Sequence, residues 1–174
     1  CFRAKQNITR AELGEALAAL TGEPQVVVDP DAEVSIAELD AKIVRALGLR
    51  PDAKTFQQKV KEAGLQPPRR LGNEVVARLI WLRFNHPQED DNLELRPQDP
   101  ATRAEAAYSL ARATTLPSWA VPNLLGQYKT VQLPHLGKRM LRIVRWGIRY
   151  AGYPYIWGGE WGFNRREPSA LGGQ

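Results

Sequence analysis

Two Arg-x-Glu pairs have the residue types and spacing to hold an anion: Arg10 with Glu12, and Arg103 with Glu105, each just behind a threonine. An arginine presents a planar fork of donors matched to a carboxylate or phosphate, and at a helix start it acts beside backbone N–H groups that favour negative charge. The same helix dipole disfavours a cation in the first turn by a few tenths to about 1 kcal/mol, so Arg10 and Arg103 need an offset. Two offsets are compatible: an ion pair with a carboxylate such as Asp99 or one in a neighbouring repeat, or an anionic ligand held by the arginine and the helix end together. Thiol or metal chemistry has less material, because Cys1 is the single cysteine and His86 and His135 the only histidines. They form no cluster spaced for zinc, and no internal disulfide is available. Cys1 reads as the lipid-bearing residue of a lipoprotein, as an N-terminal nucleophile, or as an ordinary residue. The last fits a helix signal that begins almost at once, where a lipoprotein would carry a flexible tether.

The elements that position these pairs repeat. "ITRAELGEALAALTGEP" from Ile8, "VSIAELDAKIVRALGLR" from Val34 and "ATRAEAAYSLARATTLP" from Ala101 align without gaps. Each sets a Ser or Thr three residues before a Glu: Thr9 and Glu12, Ser35 and Glu38, Thr102 and Glu105. That is a capping box, in which the hydroxyl accepts from the third helical N–H and the carboxylate reaches back to the cap residue's N–H. Behind the caps, Leu13, Leu17 and Leu20, then Leu39, Ile43 and Leu47, then Ala106, Leu110 and Ala113 recur at helical spacing, which predicts one buried face per helix. Pro24, the Gly48 and Pro51 pair, and Pro117 are expected to end the three helices. "TFQQKVKEAGL" and "NEVVARLIWLRF" read as further helices, the second with Val75, Leu79, Ile80 and Leu82 apolar, and "NHPQEDDNLELRPQDP" as a loop.

"LRPQDPATRAEAAYSLARA", from Leu95 to Ala113, resembles the second half of an S-layer homology repeat, whose hallmark is T-R-A-E after a turn of the type F-x-P-x-D-P. Gly72 to Ala113 resembles one whole repeat, and "ITRAE" from Ile8 the second half of an earlier one. The copy at Val34 departs from the pattern, with Ile36 where Arg is expected. The resemblance implies a three-pronged helical module that anchors bacterial surface proteins on anionic, often pyruvylated, wall polysaccharide. It makes Arg10, Glu12, Arg103 and Glu105 the polymer-binding positions, and Ile36 the mark of a weak or absent middle site.

From Lys129 to Tyr150 there is no acidic residue, and "GKRMLRIVRWGIRYAG" sets Arg142, Arg145 and Arg149 on one side of a predicted helix and Leu141, Val144 and Ile148 on another. The basic stripe reads as a solvated face, or as a contact for acidic glycopolymer or membrane lipid. The following "RYAGYPYIWGG" is similar to the opening signature of NlpC-type papain-like cell-wall peptidases, with Gly152, Pro154, Tyr155, Trp157, Gly158 and Gly159 at the signature positions. By that resemblance Tyr155 and Trp157 position substrate beside a cysteine nucleophile, borne in the family on a D-C-S-G helix. Neither that motif nor a later histidine follows in this sequence. A thiol peptidase needs a thiolate with a base in reach, so this chain is expected to be inactive.

A net charge of +5 and a pI near 9.6 favour polyanionic partners, and no stretch is long and apolar enough to cross a membrane. Nucleic acid fits poorly, since 19 acidic residues are interspersed and the basic helix carries no groove-reading motif. The expected fold is mainly α: S-layer-homology-like repeats over residues 1–116 (8–24, 34–66 and 71–116), a linker over 117–137, and over 138–174 the first helix and loop of an incomplete α+β papain-like domain. The expected function is wall anchoring of a secreted, cell-wall-associated peptidoglycan endopeptidase, with anionic wall polysaccharide and peptidoglycan as partners and no cofactor or metal. The rival expectation is a non-enzymatic module that binds wall polymer or assembles with other proteins.

Overall fold

The structure, a computed structural model, describes residues 2–83, 96–117 and 119–153, together with the backbone of residues 160–161 and 168–169. The fold is mainly helical: α1 (Arg10–Thr21), α2 (Ile36–Ala46), α3 (Arg50–Glu62), α4 (Leu71–Leu79), α5 (Arg103–Thr115), α6 (Ala120–Lys129) and α7 (Lys138–Gly147), then a 3-10 turn at Ile148–Tyr150. Two short strands, β1 (Glu160–Trp161) and β2 (Pro168–Ser169), pair antiparallel.

The capped helices begin where the Ser/Thr-to-Glu spacing places them. Thr9 and Thr102 each form a complete capping box with Glu12 and Glu105. Ser35 makes only half of one: its hydroxyl accepts from the Glu38 N–H, while the Glu38 carboxylate turns away to Arg10 and Lys42 instead of returning to the cap. The expected third box is thus corrected to a hydroxyl cap: Arg10 takes both Glu38 oxygens, whereas Arg103 takes one oxygen of Glu12 and leaves the other for the Thr9 N–H. Replacing Thr9 or Thr102 with Ala is expected to lower stability by about 0.5–2 kcal/mol in urea unfolding, since each hydroxyl satisfies a donor that the helix cannot.

The residues just before the three caps meet. Ile8 N–H donates to Ala101 O at 3.0 Å, Ala101 N–H to Val34 O at 2.7 Å, and Val34 N–H to Ile8 O at 3.1 Å, closing a ring of hydrogen bonds. The first-turn donors follow the same cycle. Arg10 and Ala11 donate to Ala32 and Pro30 before α2, Ile36 and Ala37 to Asp99 and Pro97 before α5, and Arg103 and Ala104 to Gln6 and Ala4 before α1. Each helix start is therefore satisfied by the chain that enters the next one, and the sequence register of these bonds is identical in all three. Such pairing lets the backbone of all three entries be buried without orphan polar groups.

Around that ring sits one apolar core: Ile8, Val34 and Ala101 from the ring, Leu13 and Leu17 from α1, Leu39, Ile43 and Val44 from α2, Phe56 from α3, Val76 from α4, Ala106 and Ala113 from α5, and Leu125 from α6. α3 and α4 pack against each other as a hairpin, with α4 also on α2. Pro51 lies at the start of α3 and does not terminate α2; α2 ends at Ala46, and Gly48 takes φ +73° to turn the chain. A proline in the first helical turn costs no hydrogen bond, which is why the residue opens α3. α4 stops at Leu79, earlier than the apolar run suggests, and Leu82 is buried in the chain beyond it, its carbonyl accepting from Ser109 Oγ at 2.6 Å.

The stretch read from the sequence as a linker holds α6. Its Leu125 is buried in the shared core, and Lys129 pairs with Asp52 of α3. Pro122 falls in the first turn of α6, where it costs no helical hydrogen bond. α7 and the turn after it bury no residue, Leu141, Val144 and Ile148 being only half-covered.

Candidate functional site

Arg10 and Arg103 lie at the seams of the ring, each joined to a first-turn glutamate of a neighbouring helix. Arg10 Nε and Nη2 reach the two Glu38 carboxylate oxygens at 3.0 and 3.2 Å, a bidentate pair, with Asp29 at 3.4 Å on the outer side. Arg103 Nη1 pairs with Glu12 Oε1, while Arg103 Nε donates to Phe2 O at 3.1 Å and the guanidinium lies 5.7 Å from the Phe2 ring centroid. Both arginine side chains keep 29% of their surface exposed, so the forks remain reachable from solvent.

Four residues expected to act together therefore sit in different seams. Arg10 joins α1 to α2 and Arg103 joins α5 to α1. Glu12 is the partner of Arg103, not of Arg10, and Glu105 is 8% exposed at the head of α5 with its carboxylate on the Thr102 N–H and hydroxyl. At the position equivalent to the two arginines, Ile36 is 3% exposed and part of the core. Ile36 thus replaces a cross-link with apolar packing. The ion-pair offset for Arg10 and Arg103 comes from the neighbouring helix heads; Asp99 pairs instead with Arg96 at 3.1 Å. The Thr9 N–H, then Arg103, hold the Glu12 carboxyl below the ordinary glutamate range against the opposing effect of burial.

The free first-turn N–H groups expected to assist an anion are not free. At α1 and α5 the first two donors go to carbonyls of the adjoining segment and the third to the cap hydroxyl. Any anion held at these seams would have to be held by the guanidinium groups, without help from the first three backbone N–H groups. Tyr155 and Trp157, like Cys1 and His86, lie outside the described residues. His135 is exposed in the segment between α6 and α7.

One constellation escaped sequence reasoning. Asp40 of α2 and Glu74 of α4 are 1% and 2% exposed, and neither carboxylate has a hydrogen bond among the described residues. Arg83 Nη1 stands 3.5 Å from Asp40, and Arg70 Nε 3.8 Å from Glu74. Burial pushes the Asp40 carboxyl up to about 7 against the pull of Arg83, with the charge of Glu74 adding to the rise, and burial likewise raises Glu74. The signal was present: Ile36, Leu39, Asp40, Ile43 and Val44 fall on one helical stripe, so a carboxylate sits in a core register. The same cluster anchors the chain after α7. Arg70 Nη2 donates to Ala151 O at 2.8 Å, Arg78 Nη2 to Gly152 O at 3.3 Å, and Gln98 Nε2 to the Tyr153 hydroxyl at 3.0 Å. Gly152 takes φ +89°, where a side chain would be strained, and a Cβ there would have to push the Glu74 carboxylate aside.

Compared with known protein families, with curated proteins and with solved structures, the chain matches none.

Proposed function

We propose that this chain is a wall-anchoring module of the S-layer homology type, built from helix-loop-helix repeats, and that it holds anionic cell-wall polysaccharide at the seams bridged by Arg10 and Arg103. The observation that carries the reading is the pair of half-buried guanidinium forks, each held by a first-turn glutamate of a neighbouring helix head in one closed ring. A polymer carboxylate enters by displacing Asp29 or by sharing the fork with Glu38 at one seam, and by taking the donors of Arg103 not used by Glu12 at the other. Fixed geometry favours this exchange, because the arginine rotamer is already ordered before the ligand arrives. The expected setting is a secreted bacterial protein. "GYPYIWGG" supports its attachment to an NlpC-type peptidoglycan endopeptidase, whose catalytic cysteine and histidine are not among the residues of this sequence.

The test is retention on purified anionic wall polysaccharide. Replacing Arg103 with Gln is expected to weaken binding by about 1.5–3 kcal/mol, the loss of a charge-assisted hydrogen bond, while far-ultraviolet circular dichroism stays unchanged. A lowered melting temperature with retained binding would show that the Arg103–Glu12 pair serves the fold alone, and would defeat the proposal.

A further inference from the structure

Five arginines before α7 have carboxylate neighbours: Arg10 with Glu38, Arg70 with Glu74, Arg83 with Asp40, Arg96 with Asp99 and Arg103 with Glu12. α7 and the turn after it gather five cations without any. Lys138, Arg139, Arg142, Arg145 and Arg149 have no carboxylate partner among the described residues, and no acidic residue occurs between Lys129 and Tyr150 to supply one. Four of these cations, with Gln66 and Trp146, line a surface cavity of about 470 Å³ between α7 and the loop that follows α3. Trp146 is 60% exposed there, although it is the kind of residue a helix buries when it has the option. Its ring is braced by Tyr150 at 5.0 Å between centroids, tilted by 54°, and Tyr150 in turn by Tyr153 at 5.7 Å, edge-on. Arg145 is pinned on the opposite side, its Nε donating to Gly64 O at 2.8 Å, so its terminal nitrogens are presented in a fixed direction.

Uncompensated charge of one sign, concentrated in a concavity, is unfavourable in the free protein and is relieved by a partner of the opposite sign. The braced indole narrows the class of that partner, because a flat apolar face beside guanidinium groups suits a ligand with both a ring face and an acid group. We infer that the α7 cavity is a second binding site, distinct from the Arg10 and Arg103 seams, for an acidic saccharide: the sugar ring lies on Trp146 while its carboxylate or phosphate is held by Arg142, Arg145 and Arg149. The site requires nothing of the ring seams, so it stands or falls separately from the proposed anchoring function.

A membrane surface is the competing partner, since Met140 and Ile143, 50% and 58% exposed, flank the basic stripe. The two differ in what they require. A saccharide needs Trp146 and the cavity, whereas a lipid surface needs the apolar flank and tolerates any arrangement of cations.

The experiment uses the full chain titrated with oligogalacturonate, a carboxylated saccharide, by calorimetry. Neutral dextran, poly-glutamate and vesicles of phosphatidylglycerol and phosphatidylcholine serve as comparators. In an Arg10→Gln/Arg103→Gln background, which removes any contribution of the ring seams, the expected result is binding of oligogalacturonate that falls about tenfold or more on adding Trp146→Ala or the Arg142→Gln/Arg149→Gln pair. Since α7 buries no residue, these substitutions leave the helical core intact, and thermal melting checks that they do. Equal affinity for poly-glutamate with no effect of Trp146→Ala would reduce the site to non-specific charge and overturn the inference. Binding confined to the anionic vesicles and abolished by Met140→Ser/Ile143→Ser would overturn it in favour of a membrane contact. Loss of oligogalacturonate binding in the Arg10 and Arg103 variants alone would assign the ligand to the ring seams and likewise remove this site.

Discussion

Raising the pH from 5 to 8 is expected to destabilise the protein by about 3 kcal/mol, the reverse of ordinary acid denaturation. The cause is Asp40, whose folded-state value is lifted to about 7 from an ordinary 3.8, chiefly by burial. A group whose value is raised on folding contributes stability in full below its unfolded value and loses it as the pH climbs through the folded one. Glu74, raised in the same way, adds to the loss. Glu12 is lowered, so its contribution runs the other way, but it is complete at and above the ordinary glutamate range and leaves the window above pH 5 to the buried pair. Arg83 faces Asp40, and Arg70, Arg78 and Arg83 act on Glu74; each attenuates the rise, but burial outweighs them. Urea unfolding across this range measures the slope, and Asp40→Asn, which cannot ionise, is expected to flatten more than half of it and to exceed the parent in stability at pH 8. An unaltered slope in Asp40→Asn would mean that Asp40 stays ionised throughout and that Arg83 fully compensates it.

The second large effect lies at Gly72, in the first turn of α4. A Cβ there would run into the Ala53 carbonyl oxygen, would lie 2.8 Å from the carbonyl carbon, and would stand 3.2 Å from Gln57 Cβ. Two effects oppose each other in Gly72→Ala. Helix propensity favours alanine by about 1 kcal/mol, whereas forcing two packed elements apart costs about 1–3 kcal/mol and occasionally more. The obstacle is main chain and cannot swing aside, so the clash wins. Separation of α3 from α4 would also break the Gly72 N–H bond to Gln57 Oε1, at 2.9 Å. The expected outcome is a net loss of about 1–3 kcal/mol in the urea midpoint, growing in Gly72→Val. A stabilised Gly72→Ala would show that the hairpin relaxes without cost.

Local rules reached the capped helices and their apolar faces because both depend on residues a few positions apart. Thr9 with Glu12 and Thr102 with Glu105 announce their own geometry, as do Leu13 and Leu17 or Leu39 and Ile43. What joins the three starts is not local. No property of Ile8, Val34 or Ala101 alone indicates that their peptide groups will bond in a cycle; only the gapless alignment hints that equivalent residues occupy equivalent places. For the same reason the partners of Arg10 and Arg103 were narrowed to a class and not to Glu38 and Glu12. The linker expected over 117–137 gives way to α6, whose Pro122 and Gly126 are poor helix formers although Val121, Leu124 and Leu125 carry helical spacing. Asp40 was passed over because it stands beside Leu39 in a helix read for its apolar residues. A carboxylate in a core register is a statement in itself, and it was the most informative residue of α2.

The central claim is that anionic wall polymer is held by the guanidinium groups of Arg10 and Arg103. It is tested most directly by following the Nε resonances of the arginine side chains while depolymerised anionic wall polysaccharide is added. Arg83, 14% exposed and turned toward Asp40 in the interior, provides a silent reference. The account predicts saturable shifts at Arg10 and Arg103, lost at the substituted position in Arg10→Gln and Arg103→Gln and accompanied by no change at Arg83. Silent Arg10 and Arg103 signals in a sample that binds the polymer would contradict it.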